Sequence, residues 1–360
     1  MRFTTALIAA TAPMVMAAPE EERVTWLPNI GNIEGFNLYS GYVTIPGTSK
    51  QLHYLLNESQ NDPTTDPVIL WTNGGPGCSS MLGWLQEHGP YEMPSGAQDM
   101  TFYENQWSWN REATVIYLEQ PAGVGYSYCD QSITKDCSFD DTQAGEDNLA
   151  AILGILDKYP EFQKNELYIS GESYGGIYVP YMAWNVVKHN EANADDDTVF
   201  KPNLKGFAVG NGVTNWTYDT TAAYVEMAYW HSLVDTGLHD QIEAAGCDFA
   251  GPYMQNLTEE CAGYLDQFSV DTADINVYDI YGTCWGLGPT PQMIQSDHDR
   301  PHRRFISQND YTPWLQREIR KDDGGEPILK ELPPCTWGSG LLDWMNLADT
   351  RKALHIPDDV

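Results

Sequence analysis

The stretch "ELYISGESYGGIYVPY" at residues 166–181 decides the fold. A short apolar run of Leu167, Tyr168 and Ile169 enters a Gly-x-Ser-x-Gly turn and leaves with helical spacing. A strand that passes into a helix through such a turn presents its serine at a sharp elbow, with the hydroxyl above the sheet edge. Ser173 is therefore the candidate nucleophile, and a serine hydroxyl needs a base within hydrogen-bond reach. An acyl-transfer site also needs N–H donors aimed at the developing oxyanion. The amide of Tyr174, just after the serine, fits one such donor. Gly75, in the glycine-rich turn "WTNGGPGCSS" at 71–80, fits the other.

Outward from the elbow, the pattern is α/β. "GYVTIPGTSKQLHYLLNES" alternates around a Pro-Gly-Thr-Ser turn and predicts an opening β-hairpin. "PVILWTNGG" and "ATVIYLEQPAG" are short apolar runs that end in glycine-rich turns, as buried parallel strands do. "LKGFAVGNG" reads as a further buried run, and "DTQAGEDNLAAILGILDKYPEF" predicts a helix that stops near Pro160. Strands alternating with helical segments predict an α/β fold with a mostly parallel, doubly wound sheet, its ligand site at the carboxyl ends of the strands. After about residue 215 the strand-like runs vanish and Tyr, Trp and acidic residues dominate. The expected layout is a leader at 1–18, the first part of an α/β core at 19–214, a largely helical insertion at 215–345 lying over the sheet, and the start of the return to the core at 346–360.

Composition excludes several partners. Acidic residues outnumber basic ones 51 to 19 in 360 residues, a formal charge of −32, so neither nucleic acid nor an anionic membrane surface is an expected partner. With 42% hydrophobic residues the chain is not expected to be disordered. "MRFTTALIAATAPMVMAAPE" has the basic start, apolar stretch and small residues of a secretory signal peptide cut near Ala17 or Ala18. No later run approaches the length of a membrane span. Asn57, Asn215 and Asn256 each open an N-glycosylation sequon, in keeping with a secreted or vacuolar protein.

Seven cysteines in such a chain predict disulfides with one thiol left over. Cys129 and Cys137 bracket a short polar loop; Cys247 with Cys261 and Cys284 with Cys335 are further candidates, leaving Cys78, and other pairings satisfy the same arithmetic. The Cys and His spacings match no ligand set, so no metal or organic cofactor is expected. Arg303-Arg304, in a polar basic loop, is a candidate processing site.

Taken together, "WTNGGPGCSS", "LEQPAGVGYSY" and "GESYGG" resemble the serine carboxypeptidase family in order and spacing, and "PPCTW…RKALHIP" is similar to a further family landmark. The likeness runs over roughly residues 25–360. It implies Ser173 as nucleophile, Gly75 and Tyr174 as oxyanion donors, and peptides or proteins with a free C-terminus as substrates. It also implies a grip on the substrate's terminal carboxylate by Asn73, Glu87 and Glu172, with Trp71 nearby. Two ionised glutamates would repel that carboxylate. If they share a site, like-charge repulsion raises one pKa, and a protonated Glu can donate to the substrate at acid pH.

The base is the missing piece. An α/β-hydrolase orders its triad Ser, Asp, His along the chain. Downstream of Ser173 lie His189, His231, His239, His298, His302 and His355, and none follows a buried strand or resembles the family's Gly-His segment. No late Asp fits either. The resemblance also implies that the cysteine of the "GGPGC" turn, Cys78, bonds to one beyond residue 360. The expectation is thus a truncated serine carboxypeptidase whose triad Asp and His are not among residues 1–360, and which is inactive as it stands. Three alternatives stay open: a non-catalytic protein that binds peptide C-termini, an esterase sharing the elbow, and an acyltransferase on the same scaffold.

Overall fold

The computed structural model describes residues 18–93, 100–130, 137, 140–250, 257–273, 275, 280, 339–358 and 360. The leader up to residue 17, Asn256, Cys284, Cys335 and Arg303-Arg304 lie outside these residues. Strands run in chain order as β1 Arg23–Val24, β2 Trp26–Leu27, β3 Gly31–Asn32, β4 Leu38–Thr44, β5 Lys50–Asn57, β6 Val68–Thr72, β7 Tyr91–Glu92, β8 Tyr103–Glu104, β9 Thr114–Leu118, β10 Tyr128–Cys129, β11 Leu167–Glu172 and β12 Leu204–Gly210. The chain divides into two units, one of Met1–Pro90, Gln106–Gly212 and Ala348–Val360, the other of Tyr91–Asn105 and Val213–Leu347.

The first unit is built on an eight-stranded mixed sheet ordered β1-β4-β5-β9-β6-β11-β12, with β10 beside β5. The hairpin β4–β5 forms around the Pro-Gly-Thr-Ser turn, pairing Leu38 with Asn57 and Thr44 with Gln51. Strands β9, β6, β11 and β12 run parallel. All five residues of β9 are buried, as β-branched and aromatic side chains at the middle of a doubly covered sheet should be. Two helices pack beside these strands, α2 Asp141–Lys158 and α3 Gly175–Ala192. The Asp140 side chain accepts the Gln143 amide (2.8 Å) to start α2. Tyr159, forced out of helical geometry by Pro160, ends it. Ala151, Ile152, Ile155 and Leu156 of α2 enter the core beside Val179, Met182 and Val186 of α3.

Two expectations need correction. Strand β12 is not buried: it pairs with β11 on one side only among the described residues, and Phe207 keeps 55% of its surface exposed. Its apolar composition identifies a strand, whereas burial depends on what packs beside it. Asn57 is not a surface sequon. It is fully buried at the end of β5, its Oδ1 accepts the Trp84 indole N–H (3.2 Å), and its amide nitrogen is enclosed. A glycan cannot be carried there in the folded chain. Asn215, by contrast, is exposed.

The second unit holds α4 Thr220–Trp230, α5 Thr236–Ala244, α6 Glu259–Asp271 and the helix Ser339–Met345, with the small β7–β8 ribbon. Asp235 and Thr258 cap α5 and α6 by accepting amides three residues on. Val225, Leu238, Ile242 and Phe268 form its core. Disulfides join Cys247 to Cys261 and Cys129 to Cys137, and Cys78 has no disulfide partner among the described residues. No described helix is long and apolar enough to cross a membrane.

Candidate active site

Ser173 sits between β11 and α3 with φ 57°, left-handed geometry that a serine adopts only where the surroundings impose it. Its amide donates to the Gly210 carbonyl (3.0 Å) and its own carbonyl accepts from Gly176 (2.9 Å), so the elbow is pinned on both sides. The glycine turn runs against it. A Cβ on Gly74 would overlap the Tyr174 amide, and Gly75 takes φ +108°, open to glycine but not to a larger residue. Tyr174 occupies the N-cap of α3, where its amide is not used within the helix.

Beside the elbow, Asn73 at the end of β6 organises the candidate grip. Its Oδ1 accepts from the Trp71 indole (2.8 Å) and the Gly83 amide (3.0 Å). These two donors fix the orientation of the amide, so its Nδ2 must face the carboxyls. There it donates to Glu87 Oε1 (2.9 Å) and Glu172 Oε1 (2.8 Å). One side-chain amide thus holds two glutamates at one point. Burial pushes the Glu87 carboxyl up, the neighbouring Glu172 charge adds to this, and the Asn73 hydrogen bond partly offsets both, leaving it at about 7. Glu87 as a residue is exposed, so the rise comes from protein crowding its carboxyl rather than from a fully buried side chain, and a ligand can reach it. Desolvation, rather than the like charge anticipated from the sequence, is the leading cause.

An aromatic wall backs this group. The His88 ring stacks on Trp109 (4.0 Å between centroids) and meets Trp71 edge-on (4.3 Å). His88 Nδ1 lies 3.0 Å from the Tyr117 hydroxyl, and burial holds the imidazole down at about 3, so it is neutral. A cavity of 320 Å³ opens beside it, lined by Trp71, Trp109, Glu172, Gly210 and Asn211 among others. Sequence reasoning missed His88 and Trp109. The one available signal was a histidine directly following a candidate carboxyl.

The Ser173 hydroxyl has no hydrogen bond among the described residues, and each described histidine is engaged elsewhere. His189 faces the Phe200 carbonyl, His231 that of Met227, and His355 that of Ser40, while His239 pairs with Glu226. His53 is bonded to Glu119 and Ser40. His298 and His302 lie outside the described residues. Within the second unit, Glu226, His239 and Glu243 bring metal-ligating side chains together, two of them exposed carboxylates.

Residues 28–360 match the family model described as serine carboxypeptidase. The chain is 33% identical over 363 residues to the lysosomal protective protein of Mus musculus, covering 98% of this chain and 71% of that one. It is 36% identical over 358 residues to serine carboxypeptidase 1 of Hordeum vulgare, covering 94% of this chain and 69% of that one. Its fold is similar to that of a prohormone-processing carboxypeptidase of Saccharomyces cerevisiae, with a TM-score of 0.60 at 19% identity over 95% of this chain and 69% of that one.

Proposed function

The chain belongs to the serine carboxypeptidase family, a family of peptide hydrolases, and on that premise we propose that its site removes C-terminal residues from peptides through an acyl-enzyme on Ser173. The observation that carries this reading is the Asn73 amide donating to Glu87 and Glu172 next to the elbow. A hydrolase that recognised only an ester or an internal peptide bond would have no use for paired carboxyls at that point. With Glu87 protonated below about pH 7, its hydroxyl donates to the substrate's terminal carboxylate while Asn73 offers an N–H beside it. Above that pH a glutamate anion faces the substrate anion and binding falls. Gly75 and Tyr174 amides stabilise the tetrahedral oxyanion once Ser173 attacks.

Attack needs a base that takes the Ser173 proton, and no described histidine stands in that place. This supports a second reading, a C-terminus binding protein on the same fold. Calorimetric titration with a free-acid peptide and its C-terminal amide, on either side of about pH 7, tests the shared premise. Tighter binding of the acid form, lost at the higher pH, is expected; equal binding of the two would overturn it. Release of the terminal amino acid then separates peptidase from binder. The two disulfides and the acidic chain favour a secretory destination, outside the cell or in a vacuole.

A further inference from the structure

Ser40, His53 and Glu119 form a hydrogen-bonded row from which solvent is excluded, each 0% exposed. His53 Nε2 lies 2.9 Å from Ser40 Oγ and Nδ1 lies 2.9 Å from Glu119 Oε2. The order imitates a serine–histidine–carboxylate triad, but Ser40 is no nucleophile: its single proton goes to the Leu354 carbonyl at 2.6 Å. Ser40 must then accept from His53 Nε2–H, and one proton remains between Nδ1 and Glu119 Oε2.

The carboxyl is the hub of this network. Its Oε2 also accepts the Tyr126 amide (2.9 Å), and its Oε1 accepts the Ser79 hydroxyl. Gly125, at φ +56°, can only be glycine because a Cβ would overlap that carboxyl. Ser79 belongs to the turn that carries Gly75. Its Oγ accepts the Met81 amide (3.2 Å), while inside the turn the Cys78 amide bonds the Gly74 carbonyl (3.0 Å). At the other end Asn73 is tied to Ser80 through its own amide (3.2 Å). A pair that only joined β4 to β5 would not need the Ser79 bond.

We propose that Glu119, held by His53, is a positioning residue for the oxyanion turn: it fixes Ser79 and thereby the direction of the Gly75 amide. This rests on the reading of Gly75 as an oxyanion donor given above. Ser79→Ala removes the hydroxyl link to Glu119, and with it the acceptor of the Met81 amide, while leaving the carboxyl and His53 in place. Glu119→Gln strikes the hub but breaks a buried pair, so Ser79→Ala decides if that variant does not fold.

The probes are a free-acid peptide and its counterpart in which a tetrahedral, anionic phosphonate replaces the scissile amide. Both engage the carboxylate grip, whereas only the phosphonate presents an oxyanion to Gly75. Titration of the wild-type chain should show tighter binding of the phosphonate. Ser79→Ala should weaken the phosphonate by about tenfold, since even ångström-scale misplacement is costly to such contacts. The free peptide should stay within about twofold, because a ground-state ligand does not use the oxyanion donors. Ser79→Thr, which restores a hydroxyl, should recover the phosphonate affinity. Tighter phosphonate binding that Ser79→Ala left unchanged, or reduced equally for both ligands, would overturn the positioning role alone. Equal binding of the two ligands by the wild-type chain would overturn the oxyanion reading and the positioning role together.

Discussion

Two regions that adjoin where Glu172 of the one precedes Ser173 of the other are built to different degrees of completion. At Asn73 each amide hydrogen and the carbonyl oxygen are engaged, by Trp71 and Gly83 on one side and by Glu87 and Glu172 on the other. At Ser173 the backbone is pinned into left-handed geometry, yet no described side chain reaches the hydroxyl. On the proposed reading, the difference teaches that recognition and turnover rest on separable sets of residues. A polar cluster closed on itself is organised before a ligand arrives, whereas a nucleophile gains its reactivity from a neighbour.

The largest effect that would break this contrast is turnover itself. If no base reaches Ser173, a peptide's terminal bond should be hydrolysed about 10⁴-fold or more slowly than by an intact triad, as on loss of a triad member in subtilisin. Chromatography of the released amino acid measures this, and a rate near that of an ordinary peptidase would show that a base reaches Ser173 after all. Next comes the grip. Amidating the peptide should cost roughly a hundredfold in Kd, the worth of a lost charge-assisted contact. A smaller effect sharpens its pH side. Because the raised Glu87 pKa lies at about 7, affinity is fully present below that value and declines above it. The decline should reach about tenfold per pH unit at most, the slope of a single titrating group. Glu87→Gln, neutral at every pH, should flatten the profile.

How much of this was legible in the sequence follows from how far apart the contacts lie. The elbow is written in five consecutive residues around Ser173, so it could be read directly. Asn73, Glu87 and Glu172 meet only because β6 and β11 are adjacent parallel strands, and the family resemblance, not their spacing, brought them together. The His88–Trp109 stack joins loops on either side of a segment that belongs to the other unit, and nothing local announces it. The triad order places a base downstream of Ser173, so nothing in that order points to His53. Its place in the apolar run of β5, buried at every position but Gln51, was the available clue. Strand β12 was recognised as a strand but not as an exposed one.

Two weaker predictions probe the surroundings of the grip. Replacing Trp109 with Ala removes the ring stacked on His88, a contact worth about 1 kcal/mol. Peptide affinity should then fall a few-fold while Ser173 labelling is unaffected, and a change confined to labelling would place Trp109 with the nucleophile instead. Phe207→Lys should leave peptide binding unchanged and reduce self-association in light scattering. A charge on an exposed strand edge discourages pairing between chains, and Phe207 is 55% exposed on β12.

The burial of Asn57 behind Trp84 reaches into biosynthesis. Sugar is added to sequons while a nascent chain is still entering the secretory lumen. In that interval Asn57 is accessible, because Trp84 lies 27 residues farther along and has yet to emerge or to pack. Folding and the transferase then compete for one side chain. A chain that closes the β4–β5 hairpin first keeps a bare Asn57 and a native core, whereas a chain glycosylated first carries a sugar where an indole belongs. Glycan occupancy at Asn57 would thus record which event came first in each molecule, and would sort the chains that closed this core from those that could not.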